Sequence, residues 1–216
     1  MELRKQKVYK QVYEDACKVL LNANQEERLM NAGLRYSKTA KGITAEIPFF
    51  NELITMTIPD FSFKNSKGSN VTLVSKIIML HYINLASGRP LSNELIPYED
   101  IPGCRHYKPV FEKRVIKPLM TAFGTNRDAF REAGEVLMGI KQDFGDASFT
   151  INPLPMVPMT FILWEADEEF PPSVRILFDT SITSYLPLED ITVVSKLASS
   201  RIIKAARLRY AEEDIF

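Results

Sequence analysis

Gly42-Ile43-Thr44-Ala45-Glu46-Ile47-Pro48-Phe49-Phe50-Asn51-Glu52-Leu53-Ile54-Thr55-Met56-Thr57-Ile58 is the stretch on which the fold reading turns. Ile43, Ala45 and Ile47 alternate with Thr44 and Glu46, and the alternation resumes from Leu53 to Ile58. A period of two puts apolar side chains on one face and polar ones on the other. The segment therefore predicts a hairpin in an antiparallel sheet covered on one side, ended by Pro59. The same period returns at Val157–Trp164 and at Val174–Phe178, predicting a second hairpin. Its connection, Glu165-Ala166-Asp167-Glu168-Glu169-Phe170-Pro171-Pro172, is a long acidic loop.

Helical spacing accounts for the remainder. Tyr9–Leu21 carries apolar residues three and four apart, and Asn24 caps a second short helix through Met30 that Gly33 stops. A helix over Val71–Ala86 is closed by Gly88 and Pro90, with Ser69 or Asn70 as its cap. Tyr98–Gly103 reads as a turn or helical stub, His106–Ala122 as a helix with a kink at Pro118, and Asn126–Met138 as a further helix. The last helix starts at Pro187, with Glu189 and Asp190 at its positive end and Lys196, Arg201, Lys204, Arg207 and Arg209 towards its negative end. This order predicts one α+β domain over 1–216, an antiparallel sheet of about four strands built from two hairpins with helices packed against it.

The 216 residues are 45% hydrophobic and 25% charged, and 27 basic groups balance 27 acidic ones. That neutrality argues against a nucleic-acid partner, which would call for a basic excess to displace counterions. The apolar runs are far shorter than the roughly 20 residues of a membrane helix. The charged start, Met1-Glu2-Leu3-Arg4-Lys5-Gln6-Lys7, is unlike a signal peptide, and two cysteines suit a reducing compartment. A cytoplasmic protein is expected. Cys17, Cys104, His81 and His106 match no standard zinc spacing.

At 100° per residue, His81 falls within a stripe of Val74, Ile77, Ile78 and Leu85, with Tyr82 on its edge. Arg114 falls among Tyr107, Val110, Phe111 and Pro118, and Arg201 among Val194, Leu197, Ala198 and Ala205. A buried arginine needs a partner. Two accounts stay open: internal pairing, with Arg114 and Arg201 meeting Asp179, Glu165 or Asp190, or convergence on a pocket that holds an anionic or amide-bearing ligand. No paired carboxylates or nucleophile motif is visible, so an enzyme, a small-molecule hydrolase or transferase with His81 as base, has the least support.

The run Pro158–Pro172, with Ile176-Leu177-Phe178-Asp179, Tyr185-Leu186-Pro187-Leu188-Glu189-Asp190, Leu80-His81-Tyr82 and the segment from Pro102-Gly103 to Phe123-Gly124, resembles the family catalogued as domain of unknown function 3786. The resemblance is clearest from about His81 to Arg201. It implies a setting in anaerobic bacteria and archaea, where some members resemble fusions to an iron–sulfur domain; this chain has no cysteine cluster to hold one. From that setting we expect a cofactor-binding protein, holding a corrinoid (cobalamin-like) or haem group between helices and sheet. His81 would be the metal ligand, and Tyr82, Arg114, Trp164 and Arg201 would hold the remainder. The competing expectation is a non-catalytic accessory module that docks an iron–sulfur or methyl-transfer enzyme through its acidic loop and basic last helix.

Overall fold

Gly42 to Ile58 forms the predicted hairpin, with Ile43 opposite Ile58 and Ile47 opposite Ile54. Ile43, Ala45, Ile47 and Phe49 are buried while Thr44 and Glu46 are half-exposed, so one face is covered as the alternation requires. Phe50 and Asn51 turn the corner, both at positive φ (50° and 63°), the backbone that a two-residue hairpin loop demands. The structure, a computed structural model, describes residues 2–213 apart from 67 and 69, and side chains within 6–207. In it the fold is α+β with antiparallel sheets. The two predicted hairpins lie in different sheets, and each belongs to its own compact unit.

The first unit takes in the chain up to Leu91 together with Leu154–Met156 and Ser181–Pro187. Its helices are α1 (Glu2–Leu21), α2 (Gln25–Asn31) and α3 (Leu73–Leu85). Strands β1 (Arg35–Thr39), β2 (Gly42–Phe49), β3 (Glu52–Ile58) and β4 (Phe63–Asn65) lie side by side in that order. Asn24 caps α2 by accepting the Glu27 amide, as expected. The cap of α3 is Thr72, whose hydroxyl accepts the Ser75 amide. Asn70 is not the cap, and Ser69 lies outside the described residues.

The second unit holds Ser92–Pro153, Val157–Thr180 and the chain from Leu188. It begins with β5 (Leu95–Pro97), then a helical run in three parts: α4 (Lys108–Phe111), a π turn (Glu112–Ile116) and α5 (Lys117–Phe123). Next come α6 (Arg127–Val136), β6 (Ile140–Lys141), β7 (Ala147–Leu154), β8 (Val157–Trp164), β9 (Ser173–Asp179) and α7 (Leu188–Glu213). The sheet order is β5-β9-β8-β7-β6. Phe161 pairs with Ile176 and Leu163 with Val174, all buried. A ladder of rings, Phe161–Phe149–Phe130–Phe123, runs from this sheet into α6 and α5 at centroid separations of 5.8, 4.8 and 5.3 Å.

The predicted kink at Pro118 is displaced. Pro118 lies within that continuous helical run, where a proline removes one backbone donor and crowds the carbonyl four residues earlier, that of Arg114. The irregularity is the π turn before it. Phe111, Val115, Leu119 and Phe123 are all buried at a strict spacing of four. On a straight α-helix that spacing drifts about 40° per step, so the wider π turn realigns the four with the core. The Ser199 hydroxyl on α7 donates to the Val115 carbonyl at 3.2 Å.

Candidate functional site

The residues expected to hold a cofactor fall in both units. His81 and Tyr82 belong to the first, Arg114, Trp164 and Arg201 to the second. Tyr82 is fully buried: its hydroxyl donates to the Ala32 carbonyl at 2.6 Å and accepts the Met156 amide at 3.2 Å. Burial pushes its phenol far up, so Tyr82 is a core tie in the first unit. Arg114 is exposed, contrary to its expected place within a buried stripe. The realigned row of Phe111, Val115, Leu119 and Phe123 takes the inward positions and turns Arg114 out. Arg201 is half-buried, beside a row on α7 led by Val194, Ala198, Ile202 and Ala205. Trp164 ends β8 and is 38% exposed.

His81 is half-buried on the more open side of α3. That helix is apolar nearly all round, which is why a stripe drawn through His81 did not mark its core face. The imidazole lines an apolar groove of about 400 Å³ together with Val12, Ala16 and Val19 of α1 and Asn84 and Leu85 of α3. Among the described residues, no three His, Cys, Asp or Glu side chains gather as a metal site. Cys17 and Cys104 are buried, and burial pushes both thiols up, away from the thiolate that metals and electrophiles need.

The acidic loop is built more firmly than its composition suggests. Asp167 accepts the Glu169 and Phe170 amides at 2.9 and 2.6 Å, which shapes the tip. Glu165 accepts the Arg127 amide at the start of α6 and faces the Arg127 guanidinium at 3.7 Å. Glu168 and Glu169 remain exposed.

A larger groove of about 640 Å³ lies wholly within the second unit, against β9 and the π turn. Its apolar lining includes Phe111, Ile116, Met120, Val174 and Ile176. Tyr98 stacks flat on Phe111 at 3.9 Å between centroids, and its hydroxyl meets Thr192 at 2.8 Å; burial pushes this phenol up to about 12. Pro172 closes one end against Gly124, where a Cβ would stand 2.8 Å from the proline ring, so only glycine allows that approach. The charged lining is Lys108, Lys113, Lys117 and Arg175 against Glu99 and Glu112. Lys108 bonds Glu99 at 2.8 Å and faces Glu112 at 3.7 Å. Burial alone would raise the Glu99 carboxyl, but the Lys108 hydrogen bond, a backbone hydrogen bond and the charges of Lys108 and Arg175 together hold the group below its ordinary value. Lys113 and Lys117 are exposed, lie four residues apart and make no ion pair among the described residues. The groove was not read from the sequence. Its nearest signal is the lysine pair at a spacing of four, ahead of the alternating Val174-Arg175-Ile176.

Within the second unit, then, the arrangement is a basic-rimmed, apolar-floored groove on an α+β scaffold. Residues 24–201 match the family described as Domain of unknown function (DUF3786), and the chain belongs to that family. No curated protein and no solved structure matches it. Among the described residues, no helix is long and apolar enough to cross a membrane.

Proposed function

We propose that this protein is a non-catalytic docking module, and that the groove against β9 is where it engages a partner. The observation carrying this reading is the combination at one place of an apolar floor, two exposed lysines without ion pairs among the described residues, and a π turn. Single π turns cost helix regularity and concentrate at functional sites. At about 640 Å³ the groove is in the range of binding clefts, and its cations outnumber its anions four to two. An acidic partner suits it, with charge steering the encounter and the apolar floor holding the complex. In the anaerobic setting of the family, an iron–sulfur or methyl-transfer enzyme is the partner class we favour, within the cytoplasm.

A second reading keeps the cofactor. His81 lines an apolar groove, and its imidazole would serve a corrinoid or haem as axial ligand. One pair of measurements separates the two. Under the docking reading, the chain binds a purified acidic iron–sulfur protein with an association rate that falls steeply as salt rises. Hydroxocobalamin or haemin then gives identical spectra with wild type and His81→Ala. A band shift present in wild type and absent from His81→Ala, without salt-sensitive association, would put the cofactor reading in its place.

A further inference from the structure

β5 covers the outer edge of β9 only along Leu177–Asp179. At Tyr98 the chain leaves the sheet for a short 3₁₀ turn, and the lane beside Ser173–Ile176 is left open. Those four residues line the groove, with the helical run carrying Lys113 and Lys117 on its other side. Across that edge, no backbone hydrogen bond to another described residue is made by Ser173–Ile176. Unpaired strand edges are templates for added strands, and proteins ordinarily shorten, bulge or cover them. Here about 13 Å of edge faces a groove instead.

The geometry points to strand addition: an extended acidic segment of a partner protein lies in the lane β5 vacates and pairs with Ser173–Ile176 of β9. This rests on the docking reading of the same groove and supplies its mode. Main-chain hydrogen bonds would give affinity, and alternate side chains would give specificity. On one face of the added strand, side chains meet the half-buried Ile116 and Met120, with the buried Phe111, Val174 and Ile176 beneath, so apolar residues fit. On the other face and along the rim they meet Arg175, Lys113 and Lys117, so carboxylates fit. The recognised segment therefore alternates apolar with acidic residues, the period-two pattern of a half-covered strand.

The test uses the full chain and a fluorescein-labelled panel of hexapeptides alternating Val or Ile with Asp or Glu, read by fluorescence anisotropy. Each peptide has two partners, N-methylated at one or the other alternate set of amides. Strand addition predicts saturable binding that one N-methyl set weakens about tenfold or more and the other leaves alone, because only one peptide edge faces β9. Lys113→Glu with Lys117→Glu should weaken binding by a similar factor, while Lys113→Arg with Lys117→Arg retains it. Both positions are exposed, and circular dichroism should show the variants folded. Binding indifferent to both N-methyl sets, or no binding by any acidic peptide, overturns strand addition. Docking at the groove survives those results if the intact acidic partner still associates and still loses affinity on charge reversal. Charge reversal without effect on either probe overturns both.

Discussion

Phe161→Ala should lower the unfolding free energy by about 3–5 kcal/mol in urea titrations, the range for deleting a fully buried aromatic ring. Phe161 has no exposed surface, pairs with Ile176 on β9 and stacks on Phe149, from which the ladder continues through Phe130 to Phe123. Removing one ring leaves a cavity whose walls belong to rigid strands, so collapse around it is limited. A loss under about 1 kcal/mol would mean that the strand is not in the core.

Gly42→Ala should cost the first unit roughly 2–4 kcal/mol. Two separate penalties meet there. Gly42 has φ of +128°, a conformation closed to side-chain-bearing residues, and an added Cβ would stand 2.0 Å from the Ile58 carbonyl oxygen. That contact involves backbone on the neighbouring strand, so it is relieved only by parting β2 from β3, whose pairing begins at Ile43 and Ile58. Thermal denaturation of the variant checks it; an unchanged midpoint would place Gly42 outside the turn between β1 and β2.

What the sequence made legible follows from how burial writes itself into a pattern. The Gly42–Ile58 hairpin and β9 declared themselves because one face of each is covered more than the other, while β8, buried on both faces, declared itself as a short apolar run. β1 escaped notice because Arg35-Tyr36-Ser37-Lys38-Thr39 is an edge strand held by its neighbour, without an apolar alternation of its own. β7 escaped because Asn152-Pro153 near its end reads as a loop. Neither unit is a continuous stretch of chain, so no linker marks the division. The helical stripes misled where they met special cases. α3 is apolar on nearly every side, so His81 could not be placed by periodicity. Arg114 was turned outward by a π turn that a regular 100° repeat cannot anticipate. The groove itself was invisible, because an open strand edge is a property of which strands pair and where they stop.

The most direct measurement of the central claim is backbone amide exchange on the full chain, alone and with the acidic iron–sulfur protein of the association experiment bound. Docking by the groove predicts slowed exchange across residues 173–176, with smaller protection over 112–117 and none added in α3 around His81. Protection gathered on α1 and α3 around the His81 groove, with residues 173–176 exchanging as before, would contradict the account.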